Sequence, residues 1–328
     1  METMLSGALR ITSSGDVLPD VERIALQPVV DEIARLKVER NAVVAAHNYM
    51  TPDIFGLVAD LTGDSLALAQ MARDTDADVV VLAGVHFMAE TAKLVNPAKT
   101  VLIPDTRAGC SLAEGITGAD VRRLRQEHPG VPVVTYVNTS ADVKAESDIC
   151  CTSGNAVAVV ESLGVDRVIF LPDRFLGAYV ASMTDVDLVL WDGSCMVHDR
   201  FSGDEIRDHR NGLGDIAVIA HPECPPDVLA EADYVGSTSG IIDWVHRNRP
   251  DRVMMITECS MADNVALETP GVEFVRPCNL CPHMKRITLE GIRRSLETMT
   301  HQVEIAEDVA VRARRAVDRM LEIGRRER

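Results

Sequence analysis

Three cysteines, Cys110, Cys195 and Cys281, recur at intervals of 85 and 86 residues. Each ends the same local pattern, a short apolar strand and then a loop. The three runs are Val101-Leu-Ile-Pro-Asp-Thr-Arg-Ala-Gly-Cys110, Leu188-Val-Leu-Trp-Asp-Gly-Ser-Cys195 and Val272-Glu-Phe-Val-Arg-Pro-Cys-Asn-Leu-Cys281. A chain that repeats strand, loop and thiol three times is constrained to build three like modules, and one thiolate per module suggests a site at their centre.

Three further stations recur in the same order. The first is a strand ending in a polar group: Ala42–Ala46 before His47, Val131–Val137 before Asn138, and Ile216–Ala220 before His221. The second is a small polar turn opening a helix, at Gly63-Asp-Ser65, Thr152-Ser153-Gly154 and Ser237-Thr238-Ser239-Gly240. The third is a strand, loop and helix: Val79–Gly84, Arg167–Leu171 and Val253–Thr257 lead to Met88, Phe175 and Ser260. The first station lies 63, 57 and 60 residues before its cysteine. Short Val/Ile/Ala strands alternating with helical stretches predict an α/β fold. In parallel sheets of this kind, ligand groups gather where strand carboxyl ends meet helix N-termini.

The repeats are expected at 21–120, 121–205 and 206–288, after a mobile tail at 1–20. A helical region at 289–328 is expected to pack back on them, with Leu296, Met299, Val303, Val309, Val317 and Met320 on its apolar face. With 46% hydrophobic residues the chain can bury a large core. Its net charge of −17 argues against nucleic acid. No apolar run is long enough to span a membrane, and no secretory signal is evident, so a cytoplasmic protein is expected. Eight cysteines are too few for a disulfide scaffold and read as ligands, catalytic groups or core thiols.

Thiolates favour iron–sulfur clusters, Zn²⁺ or Cu(I). A structural zinc site usually wants four closed ligands. Three cysteines from distant loops fit a cubane with one open iron better, and such an iron acts as a Lewis acid. Spacing alone does not choose between Cys278 and Cys281 as the third ligand. Their Cys-x-x-Cys spacing permits a reversible disulfide. Cys150, Cys151, Cys224 and Cys259 read as packing residues. His47, Asn138 and His221 suggest a ring of polar contacts flanked by Tyr49, Tyr136 and Glu223. Glu223 is the best carboxylate for general-base work. Ser65, Ser153, Ser237 and Thr238 stand at helix starts, where they either cap the helix or help its free N–H groups hold anions.

Longer motifs carry a resemblance. They are His47-Asn-Tyr49, Gly63-Asp-Ser65-Leu, Gly84-Val-His-Phe-Met88-Ala-Glu-Thr, Tyr136-Val-Asn138-Thr, Cys151-Thr-Ser153, Trp191-Asp-Gly-Ser-Cys195-Met-Val-His198, His221-Pro-Glu223-Cys and Cys281-Pro-His-Met-Lys285. Over roughly residues 38–290 the chain resembles the quinolinate synthase family of NAD biosynthesis. That resemblance implies three αβα domains around a pseudo-threefold axis with a central active site. It implies a [4Fe–4S] cluster on Cys110, Cys195 and Cys281, which selects Cys281 over Cys278. It implies condensation of iminoaspartate with dihydroxyacetone phosphate to quinolinate, phosphate and water, and a functional link to an aspartate-oxidising enzyme. Substrate contacts carry onto His47, Tyr49, Ser65, Tyr136, Asn138, Ser153, His221, Glu223, Ser237 and Thr238, with Glu223, Tyr49 and His47 moving protons. The rival readings are a different open-iron hydro-lyase, a redox sensor and a zinc-stabilised binding protein. Metal content and phosphate release separate them.

Overall fold

The computed structural model describes residues 10–12 and 17–326. A three-residue strand, β1 (Arg10–Thr12), comes first. β2 (Ala42–His47), β3 (Leu61–Gly63), β4 (Val79–Ala83) and β5 (Thr100–Leu102) form a parallel sheet in the order β3-β2-β4-β5. β6 (Val133–Tyr136), β7 (Ile149–Cys151), β8 (Arg167–Leu171) and β9 (Asp187–Leu190) repeat that order as β7-β6-β8-β9. β10 (Ala217–Ala220), β11 (Tyr234–Val235), β12 (Arg252–Ile256) and β13 (Glu273–Arg276) do so again, and β1 adds antiparallel to β13. The fold is α/β, with helices flanking three parallel sheets. β4 is buried along its whole length, which explains its unbroken run of aliphatic residues.

Two details differ from the sequence expectation. β1 places an ordered strand inside the stretch expected to be a mobile tail; residues 1–9 and 13–16 lie outside the described residues. The helix Gly118–Glu127 crosses the expected boundary at 120, because its Val121 packs with Val133, Val143, Ile169 and Leu171 of the second unit.

The repeat is exact at the level of hydrogen bonds. Asp60 accepts the Val44 N–H at 2.8 Å, Asp148 the Val133 N–H at 2.8 Å, and Asp233 the Val218 N–H at 2.7 Å. The amides of the same three aspartates donate back to the Val44, Val133 and Val218 carbonyls. A cation closes each clamp: Lys37 at 2.6 Å, Arg125 at 2.7 Å, and Arg210. These clamps fix the register of the three units. Three residues beyond each valine stand His47, Tyr136 and His221; five beyond stand Tyr49, Asn138 and Glu223. Tyr136, not Asn138, is therefore the counterpart of the two histidines. A second match places the cysteines. The N–H of His86 donates to the Ala108 carbonyl, that of Arg174 to Gly193, and that of Cys259 to Asn279, each acceptor two residues before its cysteine.

Each cysteine loop runs into a helix whose cap residue is Thr or Ser: Thr117 before Gly118–Glu127, Ser202 before Gly203–Leu213, and Thr288 before Leu289–Thr298. The first two helices pack on the sheet that follows them, through Val121 and Ile206. The third has no following sheet. Its Ile292 and Leu296 enter the core of the first unit instead, so the ring of modules closes on itself. The last helix, Glu307–Arg326, lays Ala313, Ala316, Val317, Met320 and Leu321 on the second unit. Of the apolar residues expected here, Leu296, Val303, Val317 and Met320 are buried and Met299 and Val309 are half-buried. Residues 327 and 328 lie outside the described residues. No described helix is long and apolar enough to cross a membrane.

Candidate active site

The carboxyl ends of all three sheets open on one cavity. Its lining includes Cys110, Cys195 and Cys281, one thiol from each module. No other cysteine lines it among the described residues. Burial pushes the Cys110 thiol up to about 12 and raises Cys195 and Cys281 as well. Three desolvated thiols facing one space are costly as free thiolates and are stabilised as ligands of a cationic centre.

Cys278 does not pair with Cys281. It forms a disulfide with Cys259, which tethers the first residue of the helix Cys259–Glu268 to the third cysteine loop. The packing role expected for Cys259 is corrected accordingly. The repeat explains the partner: the same two positions in the second module are Arg174 and Asp192, which form an ion pair at 2.9 Å.

His47 and His221 sit in identical turns. The Tyr49 N–H donates to Nδ1 of His47 at 3.1 Å, and the Glu223 N–H donates to Nδ1 of His221 at 3.4 Å. An Nδ1 that accepts leaves the proton on Nε2, so both neutral rings can act as donors there. His221 uses its Nε2 toward the Ser153 hydroxyl at 3.2 Å. Burial holds His47 down to about 4 and His221 down to about 3. Acid is therefore expected to destabilise the fold. The unfolded histidines take up protons below about 6.5 while the folded rings stay neutral, so stability is complete above that pH and falls as pH drops toward the folded values. The loss is roughly 2 kcal/mol per histidine by pH 5. Urea midpoints at pH 7.5 and pH 5 measure it; equal midpoints would contradict the assignment.

Glu223 is the hub of the polar groups. One carboxylate oxygen accepts from the Tyr136 hydroxyl at 2.7 Å and from the Asn138 amide at 3.3 Å. The other lies 2.8 Å from Nδ1 of His198. Burial alone would raise the pKa of Glu223. The neighbouring His221 and His198 and the Tyr136 hydroxyl outweigh it and lower the pKa. Burial raises the phenols of Tyr49 and Tyr136, which stay protonated.

His198 had been quoted within a motif but not singled out as a site residue. It continues the network, with its Nε2 at 3.0 Å from the Thr257 hydroxyl, which lies 2.7 Å from the Tyr49 hydroxyl. One proton arrangement satisfies the chain from Tyr49 to Glu223, with the Cys195 sulfur also 3.2 Å from Nδ1 of His198. Tyr49 donates to Thr257, Thr257 donates to Nε2 of His198, and Nδ1 of His198 donates to Glu223. The relay joins a residue of the first module to the second and third. The sequence signal for His198 was its place three residues after Cys195.

The helix starts behave differently from one another. Ser65 is buried and lines the cavity, but Asp64 caps its helix by accepting from the Leu66 and Ala67 amides. Ser237 accepts the Gly240 N–H as a simple cap and is not among the lining residues, whereas Thr238 lines the cavity. Ser153 lines it from a turn two residues ahead of the Asn155 cap. Two of the three helix starts thus spend amides on their own caps. The other polar donors facing the cavity include hydroxyls and imidazole N–H groups.

Cys195, His198 and Glu223 form another donor set, with ligand atoms within 4.8 Å of one another. His198 and Glu223 already satisfy each other and three further groups, so a metal there would have to break that network. Of the three thiols, only Cys195 touches that network, with its sulfur 3.2 Å from Nδ1 of His198.

The family model described as NadA, quinolinate synthetase A protein, matches residues 31–322. Quinolinate synthase 2 of Mesorhizobium japonicum is 62% identical over 307 residues, covering 94% of this chain and 95% of that protein. The quinolinate synthase of Agrobacterium fabrum is 61% identical, covering 94% of this chain and 89% of its own. That of Xylella fastidiosa strain Temecula1 is 59% identical, covering 93% and 90%. With a family match across nearly all of its length and a threefold-repeated cavity to go with it, the chain belongs to the quinolinate synthetase A family of enzymes.

Proposed function

We propose that the chain condenses iminoaspartate with dihydroxyacetone phosphate to give quinolinate, phosphate and water. The observation that carries the reading is the meeting of Cys110, Cys195 and Cys281, one from each module, beside a buried ring of hydrogen-bond donors. Three free thiols suit a [4Fe–4S] cluster with one iron left open, and these cysteines would hold it. When bound, such a cluster supplies a Lewis acid that polarises an oxygen on the substrate.

The rest of the chemistry belongs to side chains. His47, Ser65, Ser153, His221 and Thr238 present neutral donors suited to carboxylate and phosphate oxygens. Asn138 and Tyr136, both tied to Glu223, form one wall and fix the orientation of what binds. Tyr49 stands at one end of the relay through Thr257 and His198, so a proton taken up at its hydroxyl can be passed on toward Glu223 along hydrogen bonds already made. Glu223 anchors the other end as a carboxylate and balances positive charge that develops on His198. Its depressed pKa makes it a weak base by itself, so Tyr49 takes up a substrate proton only while passing its own to Thr257, and His47, with its proton on Nε2, serves as a donor.

The test is an anaerobic assay of the iron-loaded chain with both substrates, reading quinolinate by absorbance and phosphate by molybdate. One phosphate per quinolinate is expected, and none from dihydroxyacetone phosphate alone. An iron-loaded chain that releases no phosphate from dihydroxyacetone phosphate with both substrates present would point to the hydro-lyase reading on a different dicarboxylate, and zinc in place of iron to the binding-protein reading.

A further inference from the structure

Glu258 is the least expected charge in the molecule. It stands two residues after β12, is 1% exposed and lies beneath the third cysteine loop. One carboxylate oxygen accepts the Cys281 N–H at 3.1 Å, and the other accepts the Ser260 N–H at 2.8 Å. Nζ of Lys285 sits 3.0 Å from the first oxygen. The same ammonium donates to the Ser260 hydroxyl at 2.7 Å and to the Tyr49 carbonyl at 2.8 Å. A buried carboxylate this well satisfied has a specific geometry to maintain, because removing any partner leaves a desolvated charge.

The other modules lack the device. The residue equivalent to Glu258 is Val85 in the first module, which has no polar atom to offer. In the second it is Asp173, shorter by one methylene. Asp173 accepts the Phe175 and Leu176 amides with one oxygen, and its other oxygen has no partner. Among the described residues only the third module ties its cysteine N–H to a buried carboxylate, and that carboxylate in turn holds Tyr49 of the first module through Lys285.

We infer that Glu258 and Lys285 are positioning residues that set the Cys281 loop and Tyr49 in a common register. Glu258 fixes the backbone of Cys281, so its sulfur meets the other two at a defined point. Lys285 carries that constraint across the module boundary to the turn that aims the Tyr49 hydroxyl. Neither group touches substrate. The inference rests on the functional reading above in assigning Cys281 as a ligand and Tyr49 as a proton carrier, and its alkylation test does not depend on that reading.

The full-length metal-free chain is treated with iodoacetamide under anaerobic conditions, and the rate at each cysteine is followed by peptide mass spectrometry. Glu258→Ala is expected to raise the rate at Cys281 about tenfold, the size of one lost charged hydrogen bond, with Cys110 and Cys195 unchanged. Glu258→Gln keeps the shape and loses the charge; about a threefold rise is expected, and this variant carries the test if the alanine protein does not fold. Lys285→Met leaves the Glu258 to Cys281 contact in place. It is expected to leave Cys281 within about twofold of wild type while lowering kcat of the iron-loaded enzyme about tenfold. A resonance spectrum of the reduced cluster that changes in Glu258→Ala and not in Lys285→Met would separate the two halves of the tie. An unchanged Cys281 rate in both Glu258 variants, or an equal rise at all three cysteines, overturns the inference. A wild-type chain that binds no iron would instead sink the functional proposal and leave the alkylation result to be read by itself.

Discussion

Cys195→Ser is expected to lower quinolinate formation by more than about 10³-fold and to strip most of the iron, while the chain stays folded. A serine hydroxyl is a hard, weakly acidic donor at the position where a soft thiolate is required. Cys195 is only half-buried and lines the cavity, so its substitution leaves no hole in a sheet core. The contrasting variant is Cys150→Ala. Cys150 is fully buried in the core of the second module and does not line the cavity. Its loss should cost about 1 to 2 kcal/mol of stability through packing and leave the iron content alone. Iron and acid-labile sulfide per chain, with urea unfolding on the same samples, separate the two effects. Equal iron in wild type and Cys195→Ser would remove this cysteine from the ligand set.

Glu223→Gln is expected to lower kcat by about 10²- to 10⁴-fold, the range usual for the loss of a positioned acid–base partner. The carboxylate accepts from Tyr136 and Asn138 on one side and from His198 on the other. An amide cannot accept on both sides. Its NH₂ must face a donor, either at Tyr136 and Asn138 or at His198, and a buried unmatched donor pair costs 1 to 3 kcal/mol, roughly, wherever it falls. The relay from Tyr49 would also lose its terminal charge. The melting temperature is expected to fall by only a few degrees, because the site lies at strand ends and not in a sheet interior. A variant with near-normal kcat would show that Glu223 serves the fold alone.

The cysteines were legible because thiols are scarce and their spacing is regular. Three strand-loop-cysteine runs in one order admit few architectures, and the chain folds as three parallel sheets. The finer alignment was not legible. Counting from the first polar residue after each strand matched Asn138 with His47 and His221, whereas the ladder matches Tyr136 with them. The register is set by Asp60, Asp148 and Asp233, each bonded to a strand amide. Acidic residues are abundant here, 50 in all, so three that hold a backbone do not stand out. His198 and Thr257 were missed for another reason. Their importance comes from mutual contact across modules, between residues 59 apart in sequence. Ser237 caps its helix by accepting the Gly240 N–H, and a capping serine and a ligand-binding serine look the same in a sequence. The Cys259–Cys278 bridge escaped notice because its partners are 19 residues apart and meet only when β12 and β13 lie side by side.

That bridge gives two of the three cysteine loops fasteners of different materials at one position. In the second module the fastener is the Arg174–Asp192 ion pair, with its aspartate largely exposed to water. Such a contact is weak and fades further as ions accumulate around it. In the third module the fastener is covalent and indifferent to salt, and it opens only to an incoming thiol or another electron donor. A concentrated brine and a mild reductant should therefore loosen different corners of the same symmetric frame.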